Sequence, residues 1–203
     1  MRSVGVSRGQ APLVRVQPLE GLPEVRPGDD LGAMLAGVVE DGEVLVIAHK
    51  VVSKAEGRVV RLDDVEPGPE AHVLAHRHGK DPRHVQVVLD EAAELVRAER
   101  GVFICRTRHG FVCANAGVDA SNVADGSLVL LPLDPDASAR RLRAALGVRC
   151  GVVIADSFGR AWRHGQTDVA IGIAGLAPLD DWRGRRDSLG RELRATWIAI
   201  ADE

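Results

Sequence analysis

The chain has 203 residues, with 26 lysines and arginines, 29 aspartates and glutamates, and a formal net charge of −3. This length is enough to bury a hydrophobic core without disulfide or metal staples. The near-neutral balance argues against a basic nucleic-acid surface. The 45% hydrophobic content argues against a disordered chain, and no apolar run reaches the ~18–20 residues that a membrane span needs.

The contents of aromatic residues and cysteines exclude further classes of binding site. Aromatic residues make up 3% of the chain and tyrosine is absent, which argues against platforms that stack nucleic-acid bases. The cysteines, Cys105, Cys113 and Cys150, are odd in number and match no metal-ligand spacing. Cys105 and Cys113 fall in apolar segments, so we expect inert core thiols. Residues 1–12 lack the apolar centre of a signal peptide, so we expect a cytoplasmic location.

The first half of the chain shows both helix and strand patterns. Asp29 or Asp30 is suited to cap a helix over residues 31–39, where the apolar residues share one face. The Asp-Pro pair at 81–82 predicts a further helix that runs to about residue 99. Alternating or β-branched apolar residues predict strands over residues 13–18, 43–48 and 59–62.

The second half is predicted to contain mainly strands, with one helix. The Asp-Pro pair at 134–135 predicts a helix that ends near residue 146. Small polar residues predict a loop over residues 115–126, and an apolar run predicts a buried strand over residues 151–155 that ends at Asp156. Further strands are expected over residues 102–107, 110–114, 128–131, 169–173 and 196–201.

The order of these elements predicts an α+β or mixed α/β fold. Strands and helices are intermixed without a regular βαβ rhythm, so a doubly wound sheet is not expected. The chain has neither a Walker A pattern nor G-x-G-x-x-G, so a P-loop or Rossmann fold is not expected either. We treat residues 1–203 as a single unit.

Two loops carry oxygen groups suited to a divalent cation. In residues 115–122, Asp119 and Asn122 are candidate ligands for Mg²⁺ or Mn²⁺; the alternative, in which they bond their own backbone in an Asx-turn, is common. In residues 152–163, an apolar strand delivers Asp156 and Ser157 to a sheet edge, and a carboxylate with a hydroxyl is typical of Mg²⁺-nucleotide sites. Taken alone, this motif favours the alternative, in which Asp156 caps the next turn.

Two basic segments are candidates for anion binding. Residues 160–168 place Arg160, Arg163 and a histidine around a glycine, and arginine forks match carboxylates and phosphates. Residues 48–58 follow a buried strand and contain two of the three lysines, which are common partners of nucleotide phosphates. The alternative for each segment is a solvated surface turn. His72 and His76 lack an H-E-x-x-H pattern and are expected at the surface.

Taken together, these segments resemble the coenzyme F-420 gamma-glutamyl ligase family. The resemblance runs from about residue 19 to the last residue, and as an ordered set its motifs are very specific. The motifs are GLPE at 21–24, PGDDL at 27–31, VSKAEGR at 52–58, RTRHG at 106–110, AGVDASNV at 116–123, LP at 131–132, DPDAS at 134–138, DSFGRAWR at 156–163 and GQTD at 165–168.

The resemblance implies an activity, cofactors and site residues. The family joins L-glutamate to the lactyl carboxylate of coenzyme F-420-0 and then adds gamma-linked glutamates, using GTP, Mg²⁺ or Mn²⁺, and K⁺, in a homodimer with a family-specific fold. Implied metal ligands are Asp119, Asp156 and Ser157, with the two aspartates catalytic. Arg160 and Arg163 are our own candidates for substrate binding. Implied nucleotide contacts are Leu22, Pro23, Glu24, Val25, His49, Lys54 and Asn122.

Departures from the family pattern leave other functions open. Ser157 stands where a threonine is usual, and His49 stands where many members have a serine. The chain stops at Glu203, where family members continue into a helix and a further strand. Two alternatives therefore stand beside the ligase: another metal-dependent, nucleotide-using transferase, and an inactive homologue that binds GTP or deazaflavin without turnover.

Overall fold

The computed structural model describes residues 14–203 as an assembly of helices and short sheets, which confirms the predicted α+β class. The helices are α1 (Leu31–Met34), α2 (His49–Ala55), α3 (Pro69–His78), α4 (Pro82–Glu91) and α5 (Pro135–Leu146). The strands are β1 (Val44–Ala48), β2 (Val59–Arg61), β3 (Ala92–Glu99), β4 (Val102–Thr107), β5 (Val112–Ala114), β6 (Ser127–Val129), β7 (Gly151–Gly159), β8 (Gln166–Ala174), β9 (Asp180–Asp181) and β10 (Trp197–Ile198).

The main sheet joins three strands in the order β1–β7–β8. β1 and β7 are parallel, with Val44 opposite Gly151 and Ala48 opposite Ala155, whereas β7 and β8 form an antiparallel hairpin. Helix α5 packs against β7 and β8. Because β1 and β7 run in the same direction, the residues that follow Ala48 and Ala155 emerge at the same edge of the sheet.

A second layer carries its own core. Strands β3, β4 and β5 form an antiparallel sheet, and α3 and α4 pack together with the loop after β5. Phe103 and Val85 are buried at the centre of this core. The short strands β2 and β6 pair with each other. Leu128 of β6 belongs to the same core as Phe103 and Val85.

Both predicted Asp-Pro helix starts are confirmed. The Asp81 carboxylate accepts a hydrogen bond from the Arg83 backbone N–H at the start of α4. The Asp134 carboxylate accepts one from the Ala137 backbone N–H at the start of α5. Each bond satisfies an N–H group that the helix itself leaves without a partner. Gly147 ends α5 with a φ of 69°, the left-handed conformation that favours glycine.

The helix predicted to run to about residue 99 was wrong in its second half. Helix α4 ends at Glu91, and residues 92–99 form β3, which pairs with β4. Arg100 and Gly101 join the two strands and have φ values of 51° and 77°. A two-residue hairpin turn of the type I′ kind needs positive φ at both positions. The hairpin pairing therefore overrides the helical pattern.

Other predicted boundaries also shifted. The helix predicted over residues 31–39 ends at Met34, and Gly37 adopts a φ of 74° that a helix does not accommodate. Residues 14–18 form no regular element, and Leu13 lies outside the described residues. The predicted strand is not formed there, because no strand within residues 14–203 pairs with this segment. His72 and His76 are exposed on α3, as expected.

The sequence predicts that the strand from residue 151 ends at Asp156. In the structure this strand, β7, continues to Gly159, because β8 pairs with it up to that residue. Residues 49–55, for which the sequence left open an anion-binding segment or a surface turn, form helix α2. Within residues 14–203, no helix combines the length and the apolar character that a membrane crossing requires.

Gly172 of β8 allows helix α5 to pack close to the sheet. A Cβ atom at this position would overlap the backbone carbonyl of Pro135, which cannot move without displacing the start of α5. Gly159 lies in the same hairpin, yet a Cβ atom there would meet nothing within 4 Å. The two glycines thus form a matched pair for a substitution test.

We predict that Gly172→Ala lowers the free energy of unfolding by about 1–3 kcal/mol, the range for an overpacked core. Gly159→Ala is expected to leave stability unchanged or to raise it slightly. Urea denaturation monitored by circular dichroism measures both. Equal midpoints for the two variants would contradict the close packing of α5 on β8.

All the cysteines lie in the interior of the protein, where we expect their thiols to be unreactive. All three cysteines are buried and free of disulfide bonds, which confirms the expectation of core thiols. Burial, with smaller contributions from the nearby Asp156 and Cys105, raises the pKa of the Cys113 thiol to about 12. Burial also raises the pKa of Cys105. The reactive thiolate is therefore disfavoured in the folded protein.

We predict that Cys113 resists alkylation in the folded protein at about pH 8 and reacts once urea exposes it. Mass spectrometry of maleimide-treated protein, with and without urea, measures the modified fraction at each cysteine. Rapid modification of Cys113 in the folded state would contradict this description of its environment.

Candidate active site around helix α2

The short helix α2 carries the basic side chains of the candidate site. It begins directly after β1, so its first residue lies at the edge where β7 delivers Asp156. His49 and Ser53 are four residues apart, as are Lys50 and Lys54, so each pair lies on one side of the helix. These side chains contact acidic residues from three separate parts of the chain.

The first contact joins α2 to β7. Nε2 of His49 lies 3.4 Å from Oδ1 of Asp156. On the other side of the imidazole ring, Nδ1 of His49 lies 3.4 Å from Oγ of Ser53. His49 is 2% exposed and Ser53 is fully buried, while the Asp156 side chain is 16% exposed. A buried imidazole therefore lies between a buried hydroxyl and a partly accessible carboxylate.

The second contact joins α2 to the loop after β5. Nζ of Lys50 lies 2.6 Å from Oδ2 of Asp119 and donates a hydrogen bond of 2.7 Å to Oγ of Ser121. Oδ1 of Asp119 accepts a 2.7 Å hydrogen bond from the Ser121 backbone N–H. The Asx-turn considered for this loop is thus present, and the same carboxylate also binds the lysine.

Opposing influences act on the Asp119 carboxyl group. Burial raises its pKa, but the hydrogen bonds from Lys50 and Ser121 and the charge of Lys50 outweigh burial, so the net pKa lies below its usual range. Asp119 is therefore ionised at neutral pH. The next candidate in this loop, Asn122, is exposed and adopts a φ of 56°, a conformation that asparagine tolerates better than most residues.

The third contact joins α2 to the first loop. Nζ of Lys54 lies 2.5 Å from Oε1 of Glu24; the lysine side chain is 12% exposed and the glutamate 73%. The Gly28 backbone N–H donates to the Ala55 carbonyl at the end of α2, which holds the loop against the helix. Leu22 and Pro23 are exposed in this loop, and Val25 is buried.

Asp156 and Ser157 occupy successive positions of the continuous strand β7, so their side chains leave opposite faces of the sheet. Asp156 contacts His49, whereas Oγ of Ser157 donates a 2.5 Å hydrogen bond to Oδ1 of Asp168 on β8. Asp168 lies directly opposite Ser157 in the hairpin. The structure thus groups Asp156 with α2 and Ser157 with Asp168, and the metal-binding role of Ser157 stays a prediction.

Arg160 and Arg163 lie in the exposed turn between β7 and β8. The Arg160 guanidinium donates to the backbone carbonyls of His164 and Gly165, which satisfies it within its own turn. Trp162 in the same turn is 95% exposed. Substrate binding by the two arginines stays a prediction.

Sequence reasoning did not include Lys50 and Asp168 among the site residues. Lys50 lies four residues before Lys54, and this spacing is a usable signal once residues 49–55 are recognised as a helix. Asp168 offers no local signal, because its contact with Ser157 depends on pairing across the hairpin.

The donor atoms at this site suit a hard divalent cation. Asp119 and Asp156 supply carboxylate oxygens, which Mg²⁺ and Mn²⁺ prefer. Within residues 14–203, no group of three or more His, Cys, Asp or Glu side chains converges to hold a metal.

Known proteins are similar to this chain over most of its length. A family model described as F420-0:Gamma-glutamyl ligase matches residues 21–203. This chain belongs to that family. The Coenzyme F420:L-glutamate ligase of Methanopyrus kandleri is 50% identical over 200 residues, covering 96% of this chain and 79% of that protein. The protein of the same name from Methanothermobacter thermautotrophicus is 45% identical over 196 residues, covering 91% and 78%.

Membership of the F420-0:Gamma-glutamyl ligase family confirms the resemblance inferred from the motifs. The matched region contains every contact described around α2.

We predict that Lys50→Met raises the pKa of the Asp119 carboxyl group in metal-free buffer. Burial raises that pKa, and in the variant the ammonium group no longer opposes it. Carbon-detected NMR titration of aspartate carboxyl groups gives the value directly. Asp81, whose pKa is lowered mainly by its hydrogen bond with Arg83, serves as the internal control and is expected not to change. An unchanged Asp119 pKa would contradict the Lys50 contact.

Proposed function

We propose that this protein is a GTP-dependent ligase that joins L-glutamate to the lactyl carboxylate of coenzyme F-420-0 and then adds gamma-linked glutamates. The family and the names of its curated relatives support glutamate ligation. The observation that carries the proposal is the convergence of Glu24, Asp119 and Asp156 on one helix that bears two lysines. Such a mixture of acidic and basic groups suits a phosphate donor with its cation.

Amide formation from a carboxylate needs activation, most simply as an acyl phosphate. In the first step, a carboxylate oxygen of the acceptor attacks the γ-phosphorus of GTP, and GDP leaves. In the second step, the glutamate nitrogen attacks the acyl carbon, inorganic phosphate leaves, and the nitrogen loses a proton. Phosphoryl transfer depends on positioning and charge neutralisation rather than on a protein nucleophile.

The lysines of α2 are suited to bind phosphate oxygens. Lys54 is largely buried, but its partner Glu24 is mostly exposed, so the pair can open toward a bound nucleotide at modest cost. Lys50 holds Asp119 ionised and in place. Asp119 and Asp156 would hold Mg²⁺ or Mn²⁺, and the chemistry that the ion supplies when bound is neutralisation of phosphate charge.

Some features implied by the family resemblance stay predictions. These are the requirement for K⁺, the homodimer, the cytoplasmic location and the nucleotide contacts of Leu22, Pro23, Val25 and Asn122.

The proposal is tested by incubating the protein with GTP, L-glutamate, Mg²⁺ and coenzyme F-420-0. Mass spectrometry identifies glutamylated product, and a phosphate assay follows GTP consumption. We expect Asp156→Asn to lower kcat by about 10²- to 10³-fold, as for the loss of one electrostatic stabiliser, with an unchanged circular dichroism spectrum.

Asp125→Asn is the matched control for this substitution. Asp125 is exposed, and its conversion to asparagine is expected to leave turnover unchanged. Undiminished ligation by Asp156→Asn would contradict the assigned site. GTP binding in a calorimeter with no phosphate release and no product would instead identify a binding-only homologue.

A further inference from the structure

We propose that His49 is a positioning residue for Asp156: its buried imidazole, oriented by Ser53, holds one carboxylate oxygen and leaves the other for a cation. This inference rests on the proposed function, because it assigns Asp156 a metal. It concerns the imidazole side chain, whereas the family resemblance implies only a nucleotide contact at this position.

The burial of His49 and Ser53 means that their polar atoms need hydrogen-bond partners within the protein. His49 is 2% exposed and Ser53 is fully buried, and buried polar groups almost always have hydrogen-bond partners. Within residues 14–203, the groups close to the imidazole nitrogens are Oγ of Ser53 and Oδ1 of Asp156. Each imidazole nitrogen therefore has one polar neighbour among the described residues.

The chemistry of the donors and acceptors sets the direction of the hydrogen bonds that link Ser53, His49 and Asp156. An ionised carboxylate only accepts, so a hydrogen bond from His49 to Asp156 requires a proton on Nε2. The Asp156 carboxylate therefore selects the Nε2–H tautomer, in which Nδ1 carries a lone pair. The Ser53 hydroxyl, which can donate or accept, then donates to Nδ1 and orients the ring, as an outer partner orients a metal-binding histidine.

The contact pattern of Asp156 leaves one oxygen available. Oδ1 accepts a 2.8 Å hydrogen bond from the Ser157 backbone N–H and lies 3.4 Å from Nε2 of His49. Within residues 14–203, no hydrogen bond or ion pair engages Oδ2. Both contacts are made by Oδ1, so they fix the orientation of the carboxylate and leave Oδ2 available to bind a cation.

The 3.4 Å separation is longer than the ~2.7–3.2 Å of most N–H···O hydrogen bonds. Partners that orient a metal-binding carboxylate typically contribute 10- to 100-fold in metal affinity. The proposal therefore predicts an effect of His49 on metal binding that is separate from its effect on folding.

The test measures binding of Mn²⁺ alone, without nucleotide, from the electron paramagnetic resonance signal of the free ion. His49→Leu removes the donor while keeping a similar volume, and we expect its Mn²⁺ affinity to fall by about 10- to 100-fold. His49→Gln places an amide N–H near the position of Nε2 and is expected to retain most of the affinity. Thermal unfolding of each variant shows that the affinity, rather than the fold, has changed.

Two serine variants test the orienting role of Ser53. Ser53→Ala removes the hydroxyl that orients the imidazole ring but keeps the imidazole itself, so we expect a smaller loss of Mn²⁺ affinity than for His49→Leu. Ser138→Ala is the matched control, because Ser138 is also buried but its hydroxyl donates to Glu56, which follows α2 at the end opposite His49. It is expected to bind Mn²⁺ like the wild type. If His49→Leu does not fold, the comparison of His49→Gln with Ser53→Ala decides the question.

A spectroscopic measurement on the wild-type protein adds an independent check. Long-range ¹⁵N–¹H NMR of the His49 ring distinguishes its tautomers, and we expect Nε2–H both before and after addition of Mg²⁺. The proposal is overturned by an Nδ1–H tautomer, by wild-type Mn²⁺ affinity in His49→Leu, or by failure of the wild type to bind Mn²⁺ at millimolar concentration.

These results separate the positioning role from the proposed function. Normal glutamylation by the wild type together with normal Mn²⁺ binding by His49→Leu would overturn the positioning role alone. Loss of Mn²⁺ affinity in His49→Leu, in a protein that does not glutamylate coenzyme F-420-0, would support the positioning role and overturn the proposed substrate.

Discussion

The parallel pairing of β1 with β7 is the constraint on which the site depends. Its register places Ala48 opposite Ala155, so His49 and Asp156 are the next residues along two neighbouring strands at one sheet edge. Helix α2 begins at His49 without an intervening loop. The strand register therefore sets where the helix starts, and the helix start sets which acidic groups its lysines reach.

Charge neutralisation holds the rest of the site together. Asp119, on a loop that follows β5, is paired with Lys50, and Glu24, from the first loop, is paired with Lys54. Both acidic residues are more exposed than their lysines, so these pairs contribute modestly to stability. Weak pairs are compatible with the proposed binding of substrate phosphates by the lysines, whereas His49 and Ser53 are buried in the protein interior.

Local chemistry explains what the sequence could and could not predict. The Asp-Pro helix starts and the buried strands were predictable, because capping and apolar runs act within a few residues. The motifs also identified Asp119, Asp156 and Lys54 as candidates. Helix α2 was missed because seven residues containing adjacent valines give little helical signal. Asp168 was missed because strand pairing, which no short window contains, places it beside Ser157.

The central claim, that a divalent cation binds beside α2, is tested most directly by paramagnetic line broadening. Mn²⁺ is titrated into isotope-labelled protein, and the backbone amide signals of assigned residues are followed. The account predicts that signals of residues 49–54, 119–122 and 156 broaden first, and that those of His72 and His76 on α3 remain sharp. Preferential broadening around α3, with sharp signals throughout α2, would contradict it.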